Sequence, residues 1–162
     1  MKTFIMKKQK NYTGAVMSYN DLNRKIKNKE VRVGIVGLGY VGLPLAVEFA
    51  SSGINTTGFE VSGDKVEKLQ KGNSYIQDVP GSDLKKVIEK TFKPTTDFKK
   101  IKDQDAIIIC VPTPLRKSRD PDLSYIIKAS ETVSQNLSGQ TLVILESTSY
   151  PVSYTHLTLP TN

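Results

Sequence analysis

The sequence predicts an α/β fold: a doubly wound parallel sheet, with helices on both faces. Three observations carry this. Short runs rich in β-branched residues alternate with segments of helical period. The strongest of these runs, Val31 to Val36 (VRVGIV) and Asp105 to Val111 (DAIIICV), are apolar throughout, as strands buried on both faces must be. Glycines follow the strand and helix ends where a turn is needed.

In chain order, residues 1–30 form a basic arm, in which Asp21 to Lys29 can make a short helix with Leu22 and Ile26 on one face. Val31 to Val36 is the first strand, broken by Gly37. A helix follows from Tyr40 to Ser52, with Val41, Leu45 and Phe49 spaced by four. Pro44 falls in its first turn, where a missing N–H is harmless, and Gly53 ends it. Asn55 to Phe59 is a second strand, and Ser62 to Lys71 a second helix with Val66 and Leu69 inward, closed by Gly72. Residues 73–81 connect to a helix capped by Ser82 or Asp83 and running to Thr91, with Leu84, Val87 and Ile88 as its stripe. Lys93 to Thr96 is a short strand. Asp105 to Val111 is a longer one, stopped by Pro112 and Pro114. Asp122 to Leu137 is amphipathic through Leu123, Ile126, Ile127, Ser130, Val133 and Leu137, with Gly139 as its cap, and Thr141 to Leu145 is the last strand. That strand lacks a successor, so the sheet is expected to be incomplete and open at this edge.

The 162 residues suit one domain. The net charge of +7 suggests a nucleic-acid binder until it is located. Residues 1–32 hold nine Lys and Arg against Asp21 and Glu30, an excess of seven, so the rest of the chain is neutral. A solvated basic extension is expected, with no nucleic-acid or membrane partner. No apolar run reaches the roughly 18 residues of a membrane helix, and no apolar segment follows the basic N-terminus as a secretion signal requires. A cytoplasmic location is expected, and the lone Cys110 fits a reducing compartment. With one Cys and one His the usual metal-ligand spacings cannot be built.

Gly37-Leu38-Gly39-Tyr40-Val41-Gly42 is G-x-G-x-x-G between a strand and a helix. That context reads as a dinucleotide fingerprint: Gly37 for the tight turn, Gly39 for approach of a pyrophosphate to the backbone, Gly42 for close helix packing. The helix N-terminus adds N–H groups and a partial positive charge. Glu60 ends the next strand, 18 residues after Gly42. There its carboxylate can accept from the adenosine ribose and repel a 2′-phosphate, which favours NAD over NADP. Lys65, one turn on, can reach the ribose or phosphate, which keeps an opening for NADP. Cys110, inside a buried strand, reads as a core residue rather than a nucleophile.

The ordered series VGIVGLGYVGLPLAVEFA, KVEKLQKGNSYIQDVP, TTDF, DAIIICVPTPL, DPDLSY and LVILESTSYP resembles the N-terminal domain of UDP-glucose/GDP-mannose dehydrogenases. Within them it is most like the branch acting on UDP-N-acetylglucosamine or its mannosamine relatives, over residues 31–151. The resemblance implies a Rossmann domain whose parent enzyme oxidises C6 of a nucleotide-linked sugar from alcohol to carboxylate with two NAD and two hydride transfers. It also implies that Leu38 to Gly42 cradle the pyrophosphate and that Glu60 and Lys65 sit at the ribose. Val111, Pro112, Thr113 and Pro114 would lie along the cofactor. Ser147 and Thr148 would sit near the nicotinamide, with Thr148 positioning a catalytic water. The family's catalytic cysteine, lysine, asparagine and aspartate are not present, nor is the segment forming the dimer and the sugar site. The parent is expected to be a homo-oligomer and this chain inactive alone. Residues 152–162 (VSYTHLTLPTN) match the translation of a sequencing-library adapter and are expected to be a non-native tail. A stand-alone dinucleotide-binding or regulatory module, or another Rossmann dehydrogenase, stays open at this point.

Overall fold

The computed structural model describes residues 3–4, 18–116, 121–137 and 140–147. In chain order these form β1 (Thr3–Phe4), α1 (Tyr19–Lys27), β2 (Arg32–Val36), α2 (Gly42–Ser51), β3 (Asn55–Phe59) and α3 (Gly63–Gln70). After these come α4 (Gly81–Val87), β4 (Phe92–Thr95), a 3-10 helix (Phe98–Asp103), β5 (Ala106–Ile109), α5 (Ser124–Asn136) and β6 (Leu142–Leu145).

The sheet order is β1-β6-β5-β2-β3-β4. Among the described strands β2 to β6 are parallel, and only β1 runs antiparallel. Among the parallel five, β2 lies centrally, with β3 and β4 to one side and β5 and β6 to the other. This is the doubly wound arrangement, and the chain reverses direction across the sheet between β2 and β5.

Each face carries its own core. Val33, Ile35 and Ile108 pack with Leu43, Ala46 and Ala50 of α2, Leu69 of α3 and Leu84 and Val87 of α4. Val36, Ile107 and Ile109 pack on the other side with Ile101 of the 3-10 helix and Ala129 and Val133 of α5. Glycine at 34 makes room in the second core, since a Cβ there would meet Ile107 Cδ1 at 2.4 Å.

Several elements differ from expectation. α2 begins at Gly42, and Tyr40 and Val41 stay in an exposed turn. Its inward face is therefore Leu43, Ala46, Val47 and Ala50 rather than the Val41, Leu45, Phe49 row. Pro80 takes the position before α4 with extended backbone, so neither Ser82 nor Asp83 caps it. The helix stops at Val87 because Ile88 is extended and Glu89 adopts a φ of 61° to turn into β4. In α5 Ile127 faces outward and Ala129 replaces it in the core. Gly139 lies outside the described residues. The edge beyond β6, expected open, is paired with β1 through Thr3 with Ile144 and Phe4 with Val143.

α1 starts earlier than expected because Ser18 and Asp21 form a capping box, each side chain accepting the other's backbone N–H at 3.1 Å. The helix is held on the domain at the N-terminal ends of β2 and β5. Asp105 is buried there, 2.6 Å from Lys25 Nζ and 3.4 Å from Arg32 Nε, and it also accepts from the Arg32 N–H at 2.9 Å. Burial alone would raise the Asp105 pKa, but the hydrogen bonds from Lys25 and Arg32 outweigh it and the pKa falls below the ordinary 3.8.

A carboxyl whose pKa is lower in the folded state contributes stability above its unfolded pKa and loses it as pH falls through the folded value. Wild-type stability should therefore drop below about pH 3.8, and Asp105→Asn should remove that part of the drop. At neutral pH the same variant should cost about 2 kcal/mol, less than a fully buried pair because Lys25 and Arg32 are partly solvated. Denaturant unfolding of both chains from pH 2 to 7 checks both expectations.

Candidate functional site

β2 ends where the strand order reverses, and the chain there must leave the sheet sharply. Gly37 does so with a φ of 92°, its N–H donating to the Phe59 carbonyl at 2.8 Å. A Cβ at this residue would lie 2.8 Å from the Cys110 carbonyl oxygen of the neighbouring strand end. Five residues on, α2 comes back so closely that a Cβ on Gly42 would lie 1.8 Å from the Gly37 carbonyl oxygen. Gly39, between them, differs from both: a Cβ there would meet nothing within 4 Å. The N–H groups of Gly39, Tyr40 and Val41 have no acceptor among the described residues. The loop thus presents bare backbone donors to open space, next to the N-terminus of α2, which is an arrangement made for an anion. It fits a pyrophosphate.

The loop is held from beneath by Glu60, which leaves β3 and is buried. One carboxylate oxygen accepts from the Leu38 N–H at 3.3 Å, the other from the N–H groups of Val61 and Ser62 at 3.0 and 3.2 Å. Lys65, in the first turn of α3, brings its Nζ to 3.7 Å from the first oxygen and 5.4 Å from the Tyr75 ring centre. The Tyr75 hydroxyl donates to the Leu38 carbonyl at 2.7 Å. Burial, with Glu60 adding its charge, pushes the Tyr75 pKa above its usual value, so the hydroxyl keeps the proton it donates. In the sequence, Tyr75 stands out only as part of the run KVEKLQKGNSYIQDVP. A tyrosine in a connecting loop carries no signal of where its hydroxyl ends, and only the structure places it under the glycine loop.

On the β5 side, Cys110 bonds back to β2 through its N–H to the Val36 carbonyl at 2.8 Å. Val111, Pro112, Thr113 and Pro114 then run out from the carboxyl end of β5, with Pro112 and Pro114 exposed. Ser147, just after β6, donates its hydroxyl to the Val111 carbonyl at 2.9 Å. The segment returns to α5 through Asp122, which accepts from Arg116 at 2.9 Å and from the Ser124 N–H at 3.1 Å. The Arg116 contact, with those hydrogen bonds, holds its carboxyl down at about 2. The carboxyl ends of β2, β3, β5 and β6 therefore gather Gly37 to Gly42, Glu60, Lys65, Val111 to Pro114 and Ser147 along one rim. Thr148 and the segment 152–162 lie outside the described residues.

Among the described residues no cluster of His, Cys, Asp or Glu could hold a metal, and no helix is long and apolar enough to cross a membrane.

The sequence profile of the UDP-glucose/GDP-mannose dehydrogenase family, NAD binding domain, matches residues 31–161, a span that runs into the segment expected to be non-native. UDP-N-acetyl-D-glucosamine 6-dehydrogenase of Salmonella typhi is 42% identical over 122 residues, which is 75% of this chain and 28% of that protein. The structure of a UDP-D-ManNAc dehydrogenase from Pyrococcus horikoshii superposes with a TM-score of 0.70 at 38% identity, covering 75% of this chain and 29% of its own. A ternary complex of GDP-mannose dehydrogenase from Pseudomonas aeruginosa gives 0.74 at 32% identity, covering 81% and 31%. The chain thus spans between a quarter and a third of the length of these relatives.

Cys110 is buried within this rim, and burial, with Glu146 nearby, pushes its thiol up to about 12. A thiol so placed is neither exposed nor ionised at neutral pH. Treatment with iodoacetamide at pH 8 should leave the folded chain unmodified and label one site in denaturant, as mass spectrometry would show. Rapid labelling of the folded chain would contradict this placement.

Proposed function

This chain belongs to the UDP-glucose/GDP-mannose dehydrogenase family, as its NAD-binding domain, and from that premise we propose how its residues hold the cofactor and what the whole protein does. The carrying observation is the glycine loop: unpaired N–H groups facing the space over Gly39. The N–H groups from Gly39 to Gly42 would take the pyrophosphate. Glu60, at the end of β3, would receive the adenosine ribose hydroxyls, with Lys65 beside it. Its four hydrogen-bonding and ionic partners leave the carboxylate fixed, and its charge disfavours a 2′-phosphate. Val111 to Pro114 would flank the cofactor, with Ser147 holding the Val111 carbonyl, and Thr148 would lie near the nicotinamide. NAD supplies the hydride acceptor.

The whole protein would oxidise a UDP-linked N-acetylhexosamine at C6, from alcohol to carboxylate, acting as a cytoplasmic homo-oligomer. The relatives at 42% and 38% identity support that substrate class by the names they carry. The chain alone would bind cofactor without turnover, because thiol chemistry needs an exposed thiolate and Cys110 is buried.

Calorimetric titration tests the binding. NAD should bind saturably and NADP at least about tenfold more weakly, the size expected when a carboxylate faces an unpaired phosphate. Gly39→Ala should keep the wild-type melting temperature, since its methyl meets nothing within 4 Å, and should lose most of the NAD affinity. Equal heats for NAD and NADP would remove Glu60 from the selecting role. No heat with either, from a folded chain, would overturn the whole reading.

Turnover is a separate measurement. Incubation of this chain with NAD and UDP-N-acetylglucosamine should give no increase in NADH absorbance, whereas steady production would show that this chain holds a competent catalytic group.

A further inference from the structure

Four successive peptide units of the loop are each held by a separate contact. Val36–Gly37 is held by the Gly37 N–H on the Phe59 carbonyl at 2.8 Å, and Gly37–Leu38 by the Leu38 N–H on Glu60 at 3.3 Å. Leu38–Gly39 is held by the Tyr75 hydroxyl on the Leu38 carbonyl at 2.7 Å, and Gly39–Tyr40 by the Leu43 N–H on the Gly39 carbonyl at 3.0 Å. Of the four, only the Leu38–Gly39 unit both carries an unpaired N–H and is held by a side chain from outside the strand and helix it joins. The Leu38 carbonyl and the Gly39 N–H belong to the same rigid plane, so whatever fixes one aims the other.

We propose that Tyr75 is a positioning residue for the cofactor: its hydroxyl, by holding the Leu38 carbonyl, aims the Gly39 N–H at the pyrophosphate. This rests on the reading of the loop as the pyrophosphate site and adds a residue to it from a different segment of the chain. The geometry has two further supports. The Leu38 side chain is fully buried, and the Glu60 carboxylate holds its N–H from the other side, so Tyr75 acts on a residue already constrained. Lys65 lies over the Tyr75 ring while pairing with Glu60, so one cation braces both groups that grip Leu38. A hydrogen bond accepted by the carbonyl also polarises the shared peptide and makes its N–H a stronger donor.

The test is Tyr75→Phe in the full 162-residue chain, which removes one oxygen and keeps the ring beneath Lys65. ADP and adenosine are the probes, followed by backbone amide resonances. ADP carries the pyrophosphate and should bind about three- to tenfold more weakly to the variant, the range of one lost hydrogen bond. Adenosine carries only ribose and base and should bind both chains alike. In the wild type the Gly39 amide should move downfield with ADP and stay put with adenosine; in Tyr75→Phe the ADP shift should shrink. Equal weakening for both ligands, or unchanged ADP binding, would overturn the role of Tyr75 while leaving the site intact. A wild type that binds neither NAD nor ADP would overturn the site itself. If Tyr75→Phe does not fold, the wild type decides: a Gly39 amide that ADP does not move would overturn the proposal.

Discussion

A single hydrogen atom in place of a methyl group, at residue 42, sets the geometry on which the site depends. With a Cβ there only 1.8 Å from the Gly37 carbonyl oxygen, α2 could not reach its place against the turn. Overpacking of that kind costs about 1–3 kcal/mol where neighbours can shift, and more against backbone, which cannot. Because α2 sits so close, its first N–H groups and those of the loop converge on one small volume rather than spreading along the sheet edge. The same approach buries Leu43 and Ala46 against β2 and seeds the larger of the two cores. The packing that completes this face of the sheet also gives the glycine loop its shape.

Glu60 shows how such a cradle is built around a charge rather than merely near one. A buried carboxylate is costly unless its oxygens are saturated. Here three backbone N–H groups and one ammonium supply the partners. Two of those N–H groups belong to the turn entering α3, and the third to the glycine loop. One side chain therefore ties the ends of two adjacent parallel strands together. Asp105 does the corresponding work at the opposite end of the sheet, where Lys25 and Arg32 fasten α1 across β2 and β5. A buried acid stands at each end of the central strands.

Much of this was legible in the sequence, for physical reasons that can be named. Strands buried on both faces leave continuous apolar runs, so β2 and β5 were read within a residue or two, and the glycine loop was readable because its steric demands admit one residue type. The start of α3 was placed at Ser62 from its apolar spacing, and the caps formed by Ser62 and by the Ser18–Asp21 box, though local chemistry, were passed over. What escaped depends on distance in sequence. The inward face of α2 is set by where the loop releases the chain, not by its own periodicity. α4 ends where β4 needs a turn at Glu89, a tertiary demand on a residue with no special preference for it. The Tyr75 hydroxyl meets a carbonyl that lies far away along the chain, and no pattern in either segment encodes the meeting.

The pairing of β1 with β6 joins opposite ends of the described chain. Closing so long a loop carries an entropic cost that two ladder residues repay poorly, so this contact is expected to form after the parallel strands have assembled. During synthesis the order is starker still. Thr3 and Phe4 leave the ribosome long before their partners Val143 and Ile144, which follow every other described strand of the sheet. Of the described strands the earliest made is thus the latest to be paired, and until then the nascent chain carries it as a strand in search of an edge.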